Sequence, residues 1–418
     1  MTGSFEKAPS ATPVSSSRAV IAPRGHWAWK GGGAPHALRL GNIVYVGGQM
    51  SLNATGDIVG ANNIEAQTAN AFENLSALLR EAGTSMEELM KLHTYYLFGG
   101  ESTAATEYWE RMTRVRLKYL ADPGPAATAV RVKGVPTSDQ MIGIDGIAVI
   151  GGDKFRIMPK HRWDWSMPTP FSQGWKVGNK VFVGGQISAD MKGKTVAAND
   201  VGAQTRNIMG FIHAVLVDGG AEWRDLVTLK ICYKHSGSDK NARALSNEIL
   251  DVVRDTIPAP RPALTAFGVD LLYEGLVLEI DGFAVLGEKT KIVPPGSATW
   301  VSMPSFEVAW RAGSEIYLGA ICAPGGAGLQ AQAEASIERV RRTLLDAGAD
   351  FRNLVKVTVF FVAGPEDATG ATAHQIVAKA LDDYFPSPGP VVTIVRVPGL
   401  HHEGQLFQID GLAVCGSS

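Results

Sequence analysis

Among the ionisable residues of this chain, Glu279 stands out as one of two carboxylates, with Asp281, in the otherwise apolar run LVLEIDGFAVL. Burial in such a strand disfavours the charged form and lifts a carboxyl pKa toward neutrality, which suits a group that relays protons to and from a substrate. A glutamate on the solvated side of the strand is the competing reading. Two residues on, Asp281 belongs to an Ile-Asp-Gly motif that recurs at Asp145 and Asp410. An aspartate kept in all three places is expected to serve the fold, accepting hydrogen bonds from nearby backbone or a loop. Gln49 and Gln186 each follow a Gly-Gly pair, where the absence of Cβ lets a ligand approach backbone N–H groups, so Gly185 and both amides are candidate substrate contacts. Trp163 and Trp165 could line an aromatic pocket or cap a core. His401 and His402 lack partner ligands at metal-site spacing, so no metal is expected. Cys322 lacks an identifiable base and reads as a small buried residue.

The elements that must position these residues are written three times. Segments VYVGGQMS, VFVGGQIS and IYLGAICA, at Val44, Val181 and Ile316, read as strands ending in a tight turn at glycine. Next come AQTANAFENLSALLREAG, AQTRNIMGFIHAVLVDGG and AQAEASIERVRRTLLDAG, in which Phe72, Leu75 and Leu79 recur as Met209, Ile212 and Leu216, then as Ile337, Val340 and Leu344. That spacing is one amphipathic helix, stopped each time by a glycine suited to the left-handed position: Gly83, Gly220 and Gly348. A β-branched and aromatic strand, a weaker helical stretch and the Ile-Asp-Gly strand complete each copy. The order is β-α-β-α-β. The boundaries read as a loose tail over 1–24 and domains over 25–153, 154–290 and 291–418.

The Gly-Gly-Gln segment, the Ala-Gln-led helix ending at Ala-Gly or Gly-Gly, and the Ile-Asp-Gly strand together resemble the Rid family, the reactive intermediate deaminases also called YjgF proteins. The resemblance implies an α+β fold of chorismate-mutase-like domains, three of them packing their sheets into a central barrel with clefts at the domain junctions. Here one polypeptide would supply all three, as a pseudo-trimer whose further self-association stays open. It also implies hydrolysis of imines or enamines to ammonia and a carbonyl compound, without metal or organic cofactor. The family's water-orienting glutamate corresponds to Glu279, replaced by Gly143 and Gln408 in the other copies. Its aromatic-Ser-Gln cleft segment corresponds to Phe171, Ser172 and Gln173. Its carboxylate-binding arginine is missing, the matching positions being Ala127, Leu264 and Val392. Arg131 and Arg396 lie four residues farther along, some 13 Å in a strand, and are expected at the solvated surface. Arg261, in a Pro-rich loop, is the better substitute because a loop can fold back over a cleft.

The whole chain agrees with a globular enzyme. Its 418 residues are 45% hydrophobic and 19% charged, with a formal charge of -2 that favours neither nucleic acid nor an anionic membrane. Three cysteines without paired spacing point to a reducing, cytoplasmic setting, and no apolar run is long enough to span a membrane. The reading is a cofactor-independent small-molecule hydrolase cleaving a C–N bond, with its main site around the second copy. Loss of the usual arginine suggests a bulky, cyclic or weakly acidic substrate. Two alternatives compete: a cyclic-amide hydrolase of the cyanuric acid hydrolase and barbiturase type, and a ligand-binding protein without catalysis.

Overall fold

The computed structural model describes residues 18–28, 33–136, 139–235, 238–297, 300, 305–325 and 328–416. Most of the tail read over 1–24 lies outside the described residues. The first domain runs β1 (Arg18–Ile21), β2 (Ala37–Leu40), β3 (Ile43–Met50), α1 (Ile64–Glu81), β4 (Leu89–Tyr96), α2 (Ala105–Arg116), β5 (Ala126–Arg131) and β6 (Ile142–Val149). The second repeats this as β7 (Lys154–Ile157), β8 (Gly174–Val177), β9 (Lys180–Gln186), α3 (Val201–Asp218), β10 (Leu226–Lys234), α4 (Asp239–Thr256), β11 (Ala263–Val269) and β12 (Leu278–Val285). The third runs β13 (Thr290–Ile292), β14 (Ala309–Ala312), β15 (Glu315–Ile321), α5 (Gly328–Asp346), β16 (Leu354–Phe361), α6 (Ala371–Tyr384), β17 (Val391–Arg396) and β18 (Phe407–Val414). The five elements expected in each copy are present, with two short strands added in front and one after the second helix. One correction concerns Arg18–Ile21: these residues pair antiparallel with β2 as an edge strand and are not loose tail.

Each copy forms one six-stranded sheet, β1-β2-β3-β6-β4-β5 in the first and its equivalents in the others. The neighbours β4 and β5 are parallel because α2 carries the chain back between them. The apolar stripe read from the sequence covers one sheet face: Phe72, Leu75 and Leu79 of α1 are fully buried, as are Ile212 and Leu216 of α3 and Ile337, Val340 and Leu344 of α5. Asn63 and Asp200 cap α1 and α3 through their side chains, and Gly83, Gly220 and Gly348 take φ of 77°, 70° and 72°, the left-handed geometry expected after a helix. No described helix is long and apolar enough to cross a membrane.

The Gly-Gly pairs differ from expectation. They do not end the strand; β3 and β9 continue through them, and the strand register shifts there. A Cβ on Gly47 would lie 2.8 Å from the Val392 carbonyl oxygen, one on Gly184 3.4 Å from the Ala127 nitrogen, and one on Gly319 2.8 Å from the Leu264 nitrogen. The bare backbone is therefore what admits the neighbouring domain, so that β17 packs on β3, β5 on β9 and β11 on β15. Backbone hydrogen bonds stitch the three domains at one end: Arg131 with Asp270 in both directions at 2.9 Å, Arg396 to the Gly134 carbonyl at 2.9 Å, and Gly268 to the Gly399 carbonyl at 2.9 Å. The sheets face one central cavity of about 130 Å3, lined by residues of all three.

Candidate active site at the first domain junction

Side chains on β12 alternate, so Glu279 and Asp281 leave the same face two residues apart. Glu279 is buried at the junction where β5 of the first domain meets the second. The Ala129 N–H donates to its Oε1 at 3.4 Å, and its Oε2 has no hydrogen-bond partner. Burial, reinforced by neighbouring Asp281, pushes its carboxyl up to about 8 against the pull of the Ala129 N–H, Lys91 and Arg116. Space for the carboxyl exists because residue 185 is glycine, where a Cβ would fall 1.8 Å from Oε1.

Facing the same cavity is Arg116, the last residue of α2, which is 0% exposed. None of its three guanidinium nitrogens has a hydrogen-bond partner, and its central carbon lies 4.3 Å over the Phe171 ring. Burial brings this arginine down to about 10. Trp109, Trp163, Trp165, Phe171, Ile187 and Leu272 supply the apolar walls, and the enclosed space is about 20 Å3, room for one water. The loop carrying Trp165 is fastened through Ser166, whose N–H donates to the Tyr273 hydroxyl and whose Oγ donates to Glu110, each at 2.9 Å.

The other sequence candidates take different places. Phe171 and Gly185 line the Glu279 cavity. Gln186 accepts from the Trp163 indole N–H at 2.9 Å, and Gln173 donates to the Trp163 carbonyl at 2.6 Å, so both amides hold the tryptophan wall. The Gln173 Oε1 is buried without a partner. Ser172 donates to the Gly124 carbonyl at 2.7 Å and ties the opening loop to the first domain. Arg261 is not at this cleft: it donates to the Arg254 carbonyl at 2.9 Å and the Ser305 carbonyl at 3.4 Å, beside the third domain. Gln49 lies at the remaining junction, 3.0 Å from His26 Nε2. Two surface assignments are corrected. Arg131 is buried and paired with Asp270, because β5 packs end-on against the second domain; Arg396 is half-buried, donating to the Lys133 and Ala368 carbonyls.

The other two junctions lack an acid at the Glu279 position. At Gly143 a Cβ would lie 3.0 Å from the Val135 side chain, while Gln408 donates to the Ala266 carbonyl at 3.0 Å. Cys322 is buried, its Sγ 3.6 Å from the Trp300 carbonyl, and His401 is hydrogen-bonded to Ser246 at 3.0 Å. Among the described residues no group of three or more His, Cys, Asp or Glu is placed to hold a metal.

The three aspartates do serve the fold, though through side chains of other domains rather than backbone. Lys91 reaches Asp281 at 3.2 Å, Lys230 reaches Asp410 at 3.3 Å and Lys356 reaches Asp145 at 3.1 Å, each pair joining two domains around the central cavity. Thr128, Thr265 and Thr393 donate to the same carboxylates at 2.7, 2.9 and 2.9 Å. His93 bridges Asp145 and Asp281 at 3.1 and 3.2 Å. Burial alone would raise these two carboxyls, but Lys356 beside Asp145 and Lys91 beside Asp281, with His93, hold both far below the usual carboxylate range.

Arg116 is not conspicuous in the sequence, because an arginine in the last turn of a helix reads as an ordinary C-terminal charge. Its signal was present: Trp109, Met112 and Arg116 follow i, i+3, i+7 spacing on one helix, placing an arginine on the buried stripe.

The chain is similar in sequence to known proteins. A family model described as endoribonuclease L-PSP matches residues 34–150 and 166–286, more than half of the chain. A RutC family protein of Pyrococcus abyssi is 34% identical over 113 residues, 27% of this chain and 82% of its own. The 2-iminobutanoate/2-iminopropanoate deaminase of Dermatophagoides farinae is 25% identical over 114 residues, 27% of this chain and 83% of its own. The crystal structure of a Rid family protein, YyfA of Yersinia pestis, aligns at 25% identity over 32% of this chain and all of its own, with a TM-score of 0.29.

Proposed function

The chain belongs to the endoribonuclease L-PSP family as three fused copies, and from that premise we propose that it hydrolyses imines or enamines to ammonia at the junction of its first two domains. The observation carrying this reading is Glu279, a buried carboxyl pushed up to about 8 with one oxygen free of protein partners and turned to a cavity with room for a water. Such a group is protonated at neutral pH and changes state within reach of it, as a general acid and base requires.

In the reaction, Glu279 gives its proton to the imine nitrogen, making the carbon more electrophilic. Water adds to that carbon while the C=N pair moves to nitrogen, and the new carboxylate takes the proton that the water sheds. The carbinolamine so formed collapses: Glu279 protonates the amine, the C–N bond breaks with its pair leaving on ammonia, the O–H pair closes the C=O bond, and the hydroxyl proton returns to the Glu279 carboxylate. One imine and one water yield one carbonyl compound and one ammonia. An enamine enters after protonation at carbon. Gln173 and Gln186 contribute by holding Trp163 against the substrate. The activity named for the Dermatophagoides farinae relative supports the same chemistry.

The test is ammonia release from freshly generated aliphatic and aromatic imines. Glu279→Gln should lower turnover by roughly 10²-fold or more, the usual contribution of an acid–base group. Wild-type turnover absent on every substrate, or unchanged in the variant, would overturn the reading.

A further inference from the structure

We propose that Arg116 binds a carboxylate of the substrate, so that this cleft takes an unsaturated nitrogen compound with an aromatic or cyclic apolar body and one acid group. That the ligand is a substrate rests on the deaminase reading; the binding itself does not. A guanidinium cannot lose its charge in a protein at ordinary pH, and a buried one is normally paired. Here all three nitrogens are buried without a partner, at the end of a helix whose other buried residues are Ala105, Trp109, Met112, Thr113 and Val115. Among the described residues the one acid lining the same cavity is Glu279, which its surroundings keep protonated at neutral pH, so it leaves the arginine uncompensated. Phe171, with its ring centre 4.3 Å from the guanidinium carbon, takes no hydrogen bond from it and leaves the N–H donors to a planar anion.

The rest of the cavity agrees with this ligand. Ala127 and Ala129 on β5 are small where they line it, while Trp109, Trp163 and Trp165 offer ring faces and edges for an apolar body. The acid is met from a helix, not from the strand position occupied by Ala127. A ligand of this size needs more room than the present volume of about 20 Å3, and the loop carrying Trp165, one wall of the cavity, is held by the two Ser166 hydrogen bonds to Tyr273 and Glu110.

Phenylacetate and its neutral isostere phenylacetamide separate charge from shape, and their binding is read by tryptophan fluorescence at pH 7 independently of turnover. Wild type should bind phenylacetate at least ~10-fold more tightly than the amide. Glu279→Gln should keep that preference. Arg116→Met should lose it while melting no lower than wild type, because an unpaired buried charge has been replaced by an apolar chain. Arg116→Lys, which keeps the charge without the planar fork, should retain part of the preference. Equal or absent binding of both compounds to wild type, preference surviving in Arg116→Met, or a marked fall in that variant's melting temperature would each overturn the proposal. Failure of ammonia release with the binding preference intact would instead count against the deaminase reading alone.

Discussion

A carboxyl group buried among tryptophans behaves oppositely to the usual surface glutamate, and that sets a pH signature for Glu279. In the unfolded chain it ionises near the ordinary 4.5, in the folded protein only at about 8. Between those values the unfolded form is charged and the folded form is not, so unfolding releases a proton and stability falls as pH rises. Melting curves taken from pH 5 to pH 8 should show the Glu279→Gln variant gaining on wild type across that window, with no further gain above it. The rate should fall above about pH 8 as the acid form is lost, a limb missing from the variant's residual activity. A constant gap between the two melting temperatures would mean that Glu279 ionises normally. The sequence showed this residue because a charge in an apolar strand is conspicuous; it hid Arg116 because an arginine near the end of a helix reads as an ordinary C-terminal charge.

At the scale of elements, the long helices were legible because an apolar stripe repeated three times leaves little freedom in period or phase. The edge strands were not: Arg18–Ile21 and Lys154–Ile157 are four residues each, largely accessible, and without alternation strong enough to mark them. The Gly-Gly pairs were visible as motifs but misread as turns, since glycine in a sequence signals a missing side chain without saying what uses the space. Here the neighbour uses it. At Gly185 that neighbour is the carboxyl of Glu279, the mobile end of a side chain, so Gly185→Ala should displace the acid without breaking the strand. Its ammonia release should fall nearly as far as in Glu279→Gln, on the order of 10²-fold, with a melting temperature close to wild type. Full activity in Gly185→Ala would mean that the acid works from another position.

For the whole molecule, the three copies are held as one body by Lys–Asp pairs around a shared cavity, and this ring was only half legible. The aspartates recur at one position, but the lysines do not: Lys91 and Lys356 share a register position that is Thr228 in the second copy, whose Lys230 stands two residues on, where the first copy has His93. A step of two keeps a strand residue on the same face, so the contact survives a displacement that conceals it from repeat comparison. Asp281→Asn leaves Lys91 buried without its counter-charge and should cost roughly 3–5 kcal/mol in denaturant unfolding. Pairing it with Lys91→Met should recover part of that loss. The ring is common to all three junctions, whereas the acid is present at only one. The assembly is thus threefold while the candidate acid is confined to one junction. The most direct measurement is ammonia release by wild type, Glu279→Gln, Gln408→Leu and Gln49→Leu on the same imines: turnover should collapse in Glu279→Gln alone, and collapse in either of the other two with Glu279→Gln still active would contradict the account.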